Sequence, residues 1–172
     1  MNHTSLLRAY VGRLTIVALL AGSVLTIRAF AQGGDAITVG VVLPITGKEG
    51  KPGQYQKEGI ELAIKQINDA GGIFVKDKGK KLPIKEIFYD DGTDSAKSAS
   101  LTERAMSSDK VTAVLGGYST ALGEAESVMP DRYQTPWITT GAGATGIFAK
   151  GYQFIFGTLS PVAAERNEGD EP

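Results

Sequence analysis

The sequence contains no cysteine and a single histidine, His3, and these two shortages remove most of the familiar catalytic chemistries. Without thiols there is no disulfide framework, no thiolate metal site and no cysteine nucleophile. With imidazole confined to position 3, Ser–His pairs and His-ligated metals depend on whether that residue is retained. An excess of one charge sign is missing too, since 18 Lys and Arg stand against 19 Asp and Glu. Composition therefore favours neither nucleic acid nor an anionic membrane as a partner. No long apolar run is present: LTIVALLAGSVLTI covers 14 positions, Leu14 to Ile27, whereas a bilayer-spanning helix needs about 20. What remains, 42% apolar and 22% charged residues with 22 glycines, is the composition of an ordinary globular domain.

What is present begins with an export signature. Residues 1–31 carry Arg8, Arg13 and Arg28 but no acid. The short apolar run lies between the last two arginines and is followed by Ala29-Phe30-Ala31, which places small side chains where signal peptidase reads them. We expect a cleavable signal peptide over 1–31, cut after Ala31. The run is too short for a membrane anchor, and no cysteine near the cut offers a lipid attachment point. The mature chain is then periplasmic, mildly acidic, without His or Cys, and without a stable membrane anchor.

Beyond the signal, strand and helix patterns alternate. ITVGVVLP from Ile37 is β-branched and almost wholly apolar, as a strand covered on both faces should be. Between Gln54 and Asn68 the residues Ile60, Ala63, Ile64 and Ile67 recur at helical spacing, and Ala70-Gly71-Gly72 stops that helix. Pro83 to Asp90 reads as a second strand, and Asp94 can N-cap a helix running through Ser108. VTAVLGG from Val111 is a third strand, followed by a helix from about Thr120 to Arg132 with Ala121, Leu122, Ala125, Val128 and Met129 as its buried stripe. PWITT and YQFIFGT, the latter from Tyr152, supply the fourth and fifth strands. This order implies an α/β fold, a three-layer sandwich whose mostly parallel sheet is joined by right-handed crossovers. The lobe is expected over 32–160, and the acidic stretch 161–172 as a disordered tail.

Four motifs bear on chemistry. GAGATG, Gly141 to Gly146, has the spacing of a dinucleotide fingerprint, but it follows the fourth strand and leaves room for only a turn or two of helix. It reads as a close-approach glycine loop. Asp90, Asp91 and Asp94 could cluster for a hard metal or a general base, yet a polar turn and helix cap explain them better. The five lysines of VKDKGKKLPIK lack interleaved aromatics and read as a solvated hairpin or loop, not a nucleic-acid patch. GGYST, Gly116 to Thr120, ends a buried strand with two glycines and opens a helix with two hydroxyls. Those groups suit either a helix cap or an anion such as a carboxylate, and the sequence leaves both open.

Taken in order, ITVGVVLPITG, INDAGGI, YDDGTD, DKVTAVLGGYST, TPWITTGAGAT and KGYQFIFGT resemble the first lobe of the branched-chain amino acid binding proteins of ABC importers, within the type I periplasmic binding protein fold. The resemblance covers about Ile37 to Ser160. It implies a non-enzymatic receptor, without cofactor or metal, that hands a small amino-acid-like solute to a membrane permease. By the same resemblance, Tyr118, Ser119 and Thr120 match the segment that holds the ligand's carboxylate, with Thr120 as the hydroxyl. Gly141, Ala142 and Gly143 match the loop that offers a carbonyl to the ammonium. Gly143 stands where a threonine is common and Pro52 where an aromatic is common, and both departures count against leucine-like specificity. Family members close two lobes around the ligand, so the second lobe is expected to be absent here. The alternative use of this fold is a ligand sensor that controls a regulatory partner, and a small enzyme built on the three aspartates is the weakest reading.

Overall fold

The computed structural model describes residues 35–160; the signal peptide expected over 1–31 and the tail expected over 161–172 lie outside the described residues. Strand β1 (Ile37–Leu43) lies inside the sheet, paired in parallel with β4 (Ile84–Asp90) on one side and β5 (Ala113–Gly116) on the other. β6 (Trp137–Thr139) and β7 (Ile155–Gly157) extend the sheet, giving the order β4-β1-β5-β6-β7 with every neighbouring pair parallel. The expected α/β architecture is therefore present. The chain first steps from β1 to β4, then returns past β1 to β5, so the direction of winding reverses between β1 and β5. In open parallel sheets the crevice at such a reversal, outside the carboxyl ends of the strands, is where ligands bind.

Helix α1 (Gly50–Asp69) begins four residues before the expected start, because Gly50 N–H bonds Gly47 and Gly53 N–H bonds Glu49 to form an extra turn. The start of α1 presses against the end of β1. A Cβ on Gly53 would lie 1.8 Å from the Pro44 carbonyl oxygen, so only glycine permits this approach. Gly53→Ala is expected to lower stability by about 3 kcal/mol through overpacking against backbone. On the same helix a Cβ at Gly59 would meet nothing within 4 Å, and Gly59→Ala should instead add about 0.5–1 kcal/mol. Urea midpoints for the pair check the sign at each site, and equal effects would refute the contact argument.

On the other face, α2 (Ser95–Ser107) is capped as expected, Asp94 accepting from Lys97 N–H at 2.8 Å. Here the core forms around Val42, Tyr89, Ala105, Met106, Val114 and Trp137. The single helix expected from Thr120 to Arg132 is a misreading: the segment forms two short helices, α3 (Thr120–Glu126) and α4 (Met129–Tyr133). Pro130 is the cause, since its ring has no N–H and would clash with the carbonyl of Glu126 if the helix continued. The buried face also differs from the expected stripe. Leu122, Gly123 and Glu126 face inward, while Val128, expected in the core, is 45% exposed.

The lysine-rich run forms an antiparallel hairpin of β2 (Ile73–Val75) and β3 (Lys80–Leu82), turning at Gly79 with φ 63°. The fifth strand is shorter than YQFIFGT, and the helix that opens at the end of GAGATG, α5 (Thr145–Phe148), has four residues. No helix among the described residues is long and apolar enough to cross a membrane.

Candidate functional site

The loops that follow β1, β5 and β6 meet at the carboxyl edge of the sheet around an open cleft of about 510 Å³. From the β5 loop come Tyr118, Ser119 and Thr120, and from the β6 loop Thr140, Gly141 and Gly143. Five of the six residues singled out in the sequence thus line one cleft. Ala142 does not: it is 1% exposed, and its N–H donates to Thr139 Oγ1 at 2.8 Å.

The β5 loop owes its shape to two glycines. Gly117 has φ +71°, and a Cβ there would lie 2.4 Å from Trp137 Cζ2, so both backbone and space demand glycine. Ser119 then adopts φ 70° and ψ 152°, a combination normally left to glycine and worth about 1–3 kcal/mol of strain. As N-cap of α3, its side chain makes no capping hydrogen bond. The capping alternative is therefore not realised at Ser119. Among the described residues neither the Ser119 nor the Thr120 hydroxyl has a hydrogen-bond partner, while the Ser119 carbonyl accepts from Gly123 N–H at 3.1 Å.

The floor of the cleft is tied together across the sheet. Gln56 Nε2 donates to the Thr140 carbonyl at 3.0 Å, and Thr140 Oγ1 donates to Gln56 Oε1 at 2.7 Å. Thr139 Oγ1 links the two glycine loops, donating to the Gly117 carbonyl at 3.2 Å and accepting from Ala142 N–H. Gln56, Thr140 and Glu49 line the cleft but were not singled out from the sequence. Gln56 did carry a signal: it stands four residues before Ile60 on the inward stripe of α1, a polar group on an otherwise apolar face. Glu49 brings a carboxylate to the cleft, held loosely by exposed Lys48 at 3.8 Å.

The three aspartates are accounted for by the loops around the cleft. Asp90 accepts from Ile45 N–H at 3.1 Å, Thr46 Oγ1 at 2.6 Å and Gly92 N–H at 2.9 Å, anchoring the β1 loop. Burial works to raise its pKa, but these hydrogen bonds outweigh it and hold the carboxyl below the usual range. Asp94 is the cap of α2, and Asp91 is wholly buried, accepting from Thr93 N–H at 2.8 Å. Among the described residues no group of three His, Cys, Asp or Glu side chains is placed to hold a metal ion.

The family model described as periplasmic binding protein matches residues 36–166. The Leu/Ile/Val-binding protein homolog 8 of Brucella suis is 32% identical over 146 residues, which is 85% of this chain and 34% of that protein. Among solved structures, the branched-chain amino acid transporter substrate binding protein of Streptococcus pneumoniae, in complex with isoleucine, superposes with a TM-score of 0.66 at 27% identity. It is covered over 73% of this chain and 34% of its own. A solute binding protein of an ABC transporter from Rhodopseudomonas palustris, in complex with 3,4-dihydroxy benzoic acid, gives 0.64 at 26% identity, covering 76% of this chain and 33% of its own. The chain thus spans about a third of the length of the curated relatives it matches. Fold, matched span and relatives agree: the chain belongs to the periplasmic binding protein family.

Proposed function

We propose that residues 32–160 form one wall of the solute site of an ABC importer's binding protein, secreted to the periplasm after loss of the signal peptide. The solute carries a carboxylate and belongs with the branched-chain amino acids or their small relatives. Its carboxylate is taken by the hydroxyls and N–H groups of Ser119 and Thr120, and its ammonium by the loop at Gly141 and Gly143. The observation that carries this reading is the pair of unpartnered hydroxyls on a strained turn, placed where the winding of the sheet reverses. Further support comes from the solutes of the two relatives: isoleucine and 3,4-dihydroxy benzoic acid share a carboxylate and little else. Helix α3 has only seven residues, so its dipole adds little and the hydroxyls and amides carry the anion. A second lobe supplies the opposite wall, and a membrane permease receives the solute.

The test is thermal stabilisation of the protein carrying this lobe by isoleucine, valine, alanine and 3,4-dihydroxybenzoate. A ligand present at 100 times its Kd adds about 2.7 kcal/mol. Stabilisation by one of these carboxylates, absent with its methyl ester, is the expected result. Stabilisation by uncharged sugars alone would overturn the reading.

A further inference from the structure

Beneath the turn that carries Ser119 and Thr120 lies Glu126, the last residue of α3, with no exposed surface. Its carboxyl touches three separate pieces of chain and reaches a fourth through Ser98. Trp137 Nε1–H on β6 donates to Oε2 at 2.7 Å, Ser98 Oγ on α2 lies 2.6 Å from Oε1, and Gly117 N–H in the turn also bonds the group. A Cβ on Gly116 would come within 3.0 Å of Oε2, so the strand end and the acid are in direct contact. The fourth piece is the loop after β4, whose buried Asp91 lies 3.3 Å from the same Ser98 oxygen.

Counting protons decides the state of this cluster. The Ser98 hydroxyl has one hydrogen and faces two carboxyl oxygens, so it can donate to only one of them. If both acids were ionised, two buried negative charges would share the one Ser98 hydrogen, with only the neutral N–H groups of Trp137, Gly117 and Thr93 as their other donors. The arrangement closes when one acid keeps its proton and donates to Ser98, which passes its own hydrogen to the other. Glu126 is the better holder. It has the shorter contact to Ser98 and no cation near it, whereas Asp91 feels the nearby Lys97. Asp91 is the titratable group facing Glu126; Ser98, Trp137 and Gly117 do not titrate.

We propose that Glu126 is a positioning residue for the binding turn: as a neutral acid it donates to Ser98 while accepting from Trp137 and Gly117, and so fixes the backbone that presents Ser119 and Thr120. Losing its proton places a second buried negative charge beside Asp91, and solvation of that charge opens the turn. The functional consequence rests on the site proposed above, but the proton itself is tested without any solute. Burial pushes the Glu126 carboxyl up to about 8, so the acid is neutral at pH 7 and ionises in mildly alkaline solution. Sequence supplies the reporter, because Trp137 is the only tryptophan of the chain and its N–H rests on the titrating oxygen.

Tryptophan emission of the whole chain is measured from about pH 6 to about pH 10, together with hydrogen exchange at Gly117 to Thr120. In the wild type the emission should inflect near pH 8, and exchange of the turn should rise about tenfold beyond its base-catalysed increase as the turn opens. Glu126→Gln reproduces the neutral acid, its NH₂ donating to Ser98 and its carbonyl accepting from Trp137, so this variant should keep wild-type emission at low pH and lose the inflection. Asp91→Asn should retain it. A wild type without an inflection overturns the proposal even if Glu126→Gln fails to fold. An inflection that survives in Glu126→Gln, or one abolished only by Asp91→Asn, overturns it equally.

Discussion

Trp137→Ala is expected to bring the lobe to the edge of unfolding. The indole is wholly buried among Val114, Ala142, Ile147 and their neighbours, and truncating such a side chain removes about 3–5 kcal/mol. A domain's entire margin is about 5–15 kcal/mol. The loss also leaves a Glu126 carboxyl oxygen without its donor in the interior. Trp137→Phe separates the two effects, because it keeps most of the packing and removes only the N–H, for which about 1–3 kcal/mol is expected. Urea unfolding followed by circular dichroism gives both numbers. A Trp137→Ala variant within about 1 kcal/mol of wild type would mean that this core is not the one holding β5, β6 and α3 together.

In the binding protein that carries this lobe, Thr120→Ala is expected to weaken solute binding ten- to a hundredfold. A hydrogen bond to a charged group contributes about 1.5–3 kcal/mol, and each 1.4 kcal/mol is a factor of ten. Thr120→Ser keeps the hydroxyl and should lose little. Ser119 gives a sharper signature, because its backbone strain and its hydroxyl act in opposite directions. Ser119→Gly relieves φ 70° and should raise the melting temperature while lowering affinity, the trade-off expected where strain is held for function. Calorimetry and thermal melts on the three variants check this. Unchanged affinity in all three would remove the carboxylate from this turn.

What could be read directly from the sequence was local. The apolar β-branched run of β1, the spacing of Ile60, Ile64 and Ile67, the Gly71-Gly72 stop and the Asp94 cap each depend on residues within a few positions, and each appears where expected. The break at Pro130 obeys an equally local rule, but the apolar spacing of Ala121, Ala125 and Val128 hid it. That apparent stripe is not a buried face, since Ala121 and Val128 are exposed and Val128 lies between the two helices. Other parts of the site depend on contacts that only the sheet order creates. Gln56 and Thr140 are 84 residues apart, and Ser98, Glu126 and Trp137 come from three different elements. Nothing in their neighbourhoods marks them as partners. Ala142 is buried and does not line the cleft for a related reason: a loop of small residues can point either into the cleft or into the core, and Thr139 Oγ1 turns this one inward.

The central claim, a carboxylate site on the β5 and β6 loops of this lobe, is tested most directly by following backbone amide resonances of the chain as isoleucine is added, with isoleucine amide as the control lacking a carboxylate. The account predicts shifts confined to Tyr118–Thr120 and Thr140–Gly143, caused by isoleucine and not by its amide. Residues 32–160 on their own should saturate no tighter than about millimolar, because one wall leaves the ligand's charges mostly hydrated and each exposed ionic contact contributes only about 0–1 kcal/mol. Shifts centred instead on the apolar hollow between α1 and the sheet, around Ile60, Ile64 and Leu115, or equal shifts with both compounds, would contradict it.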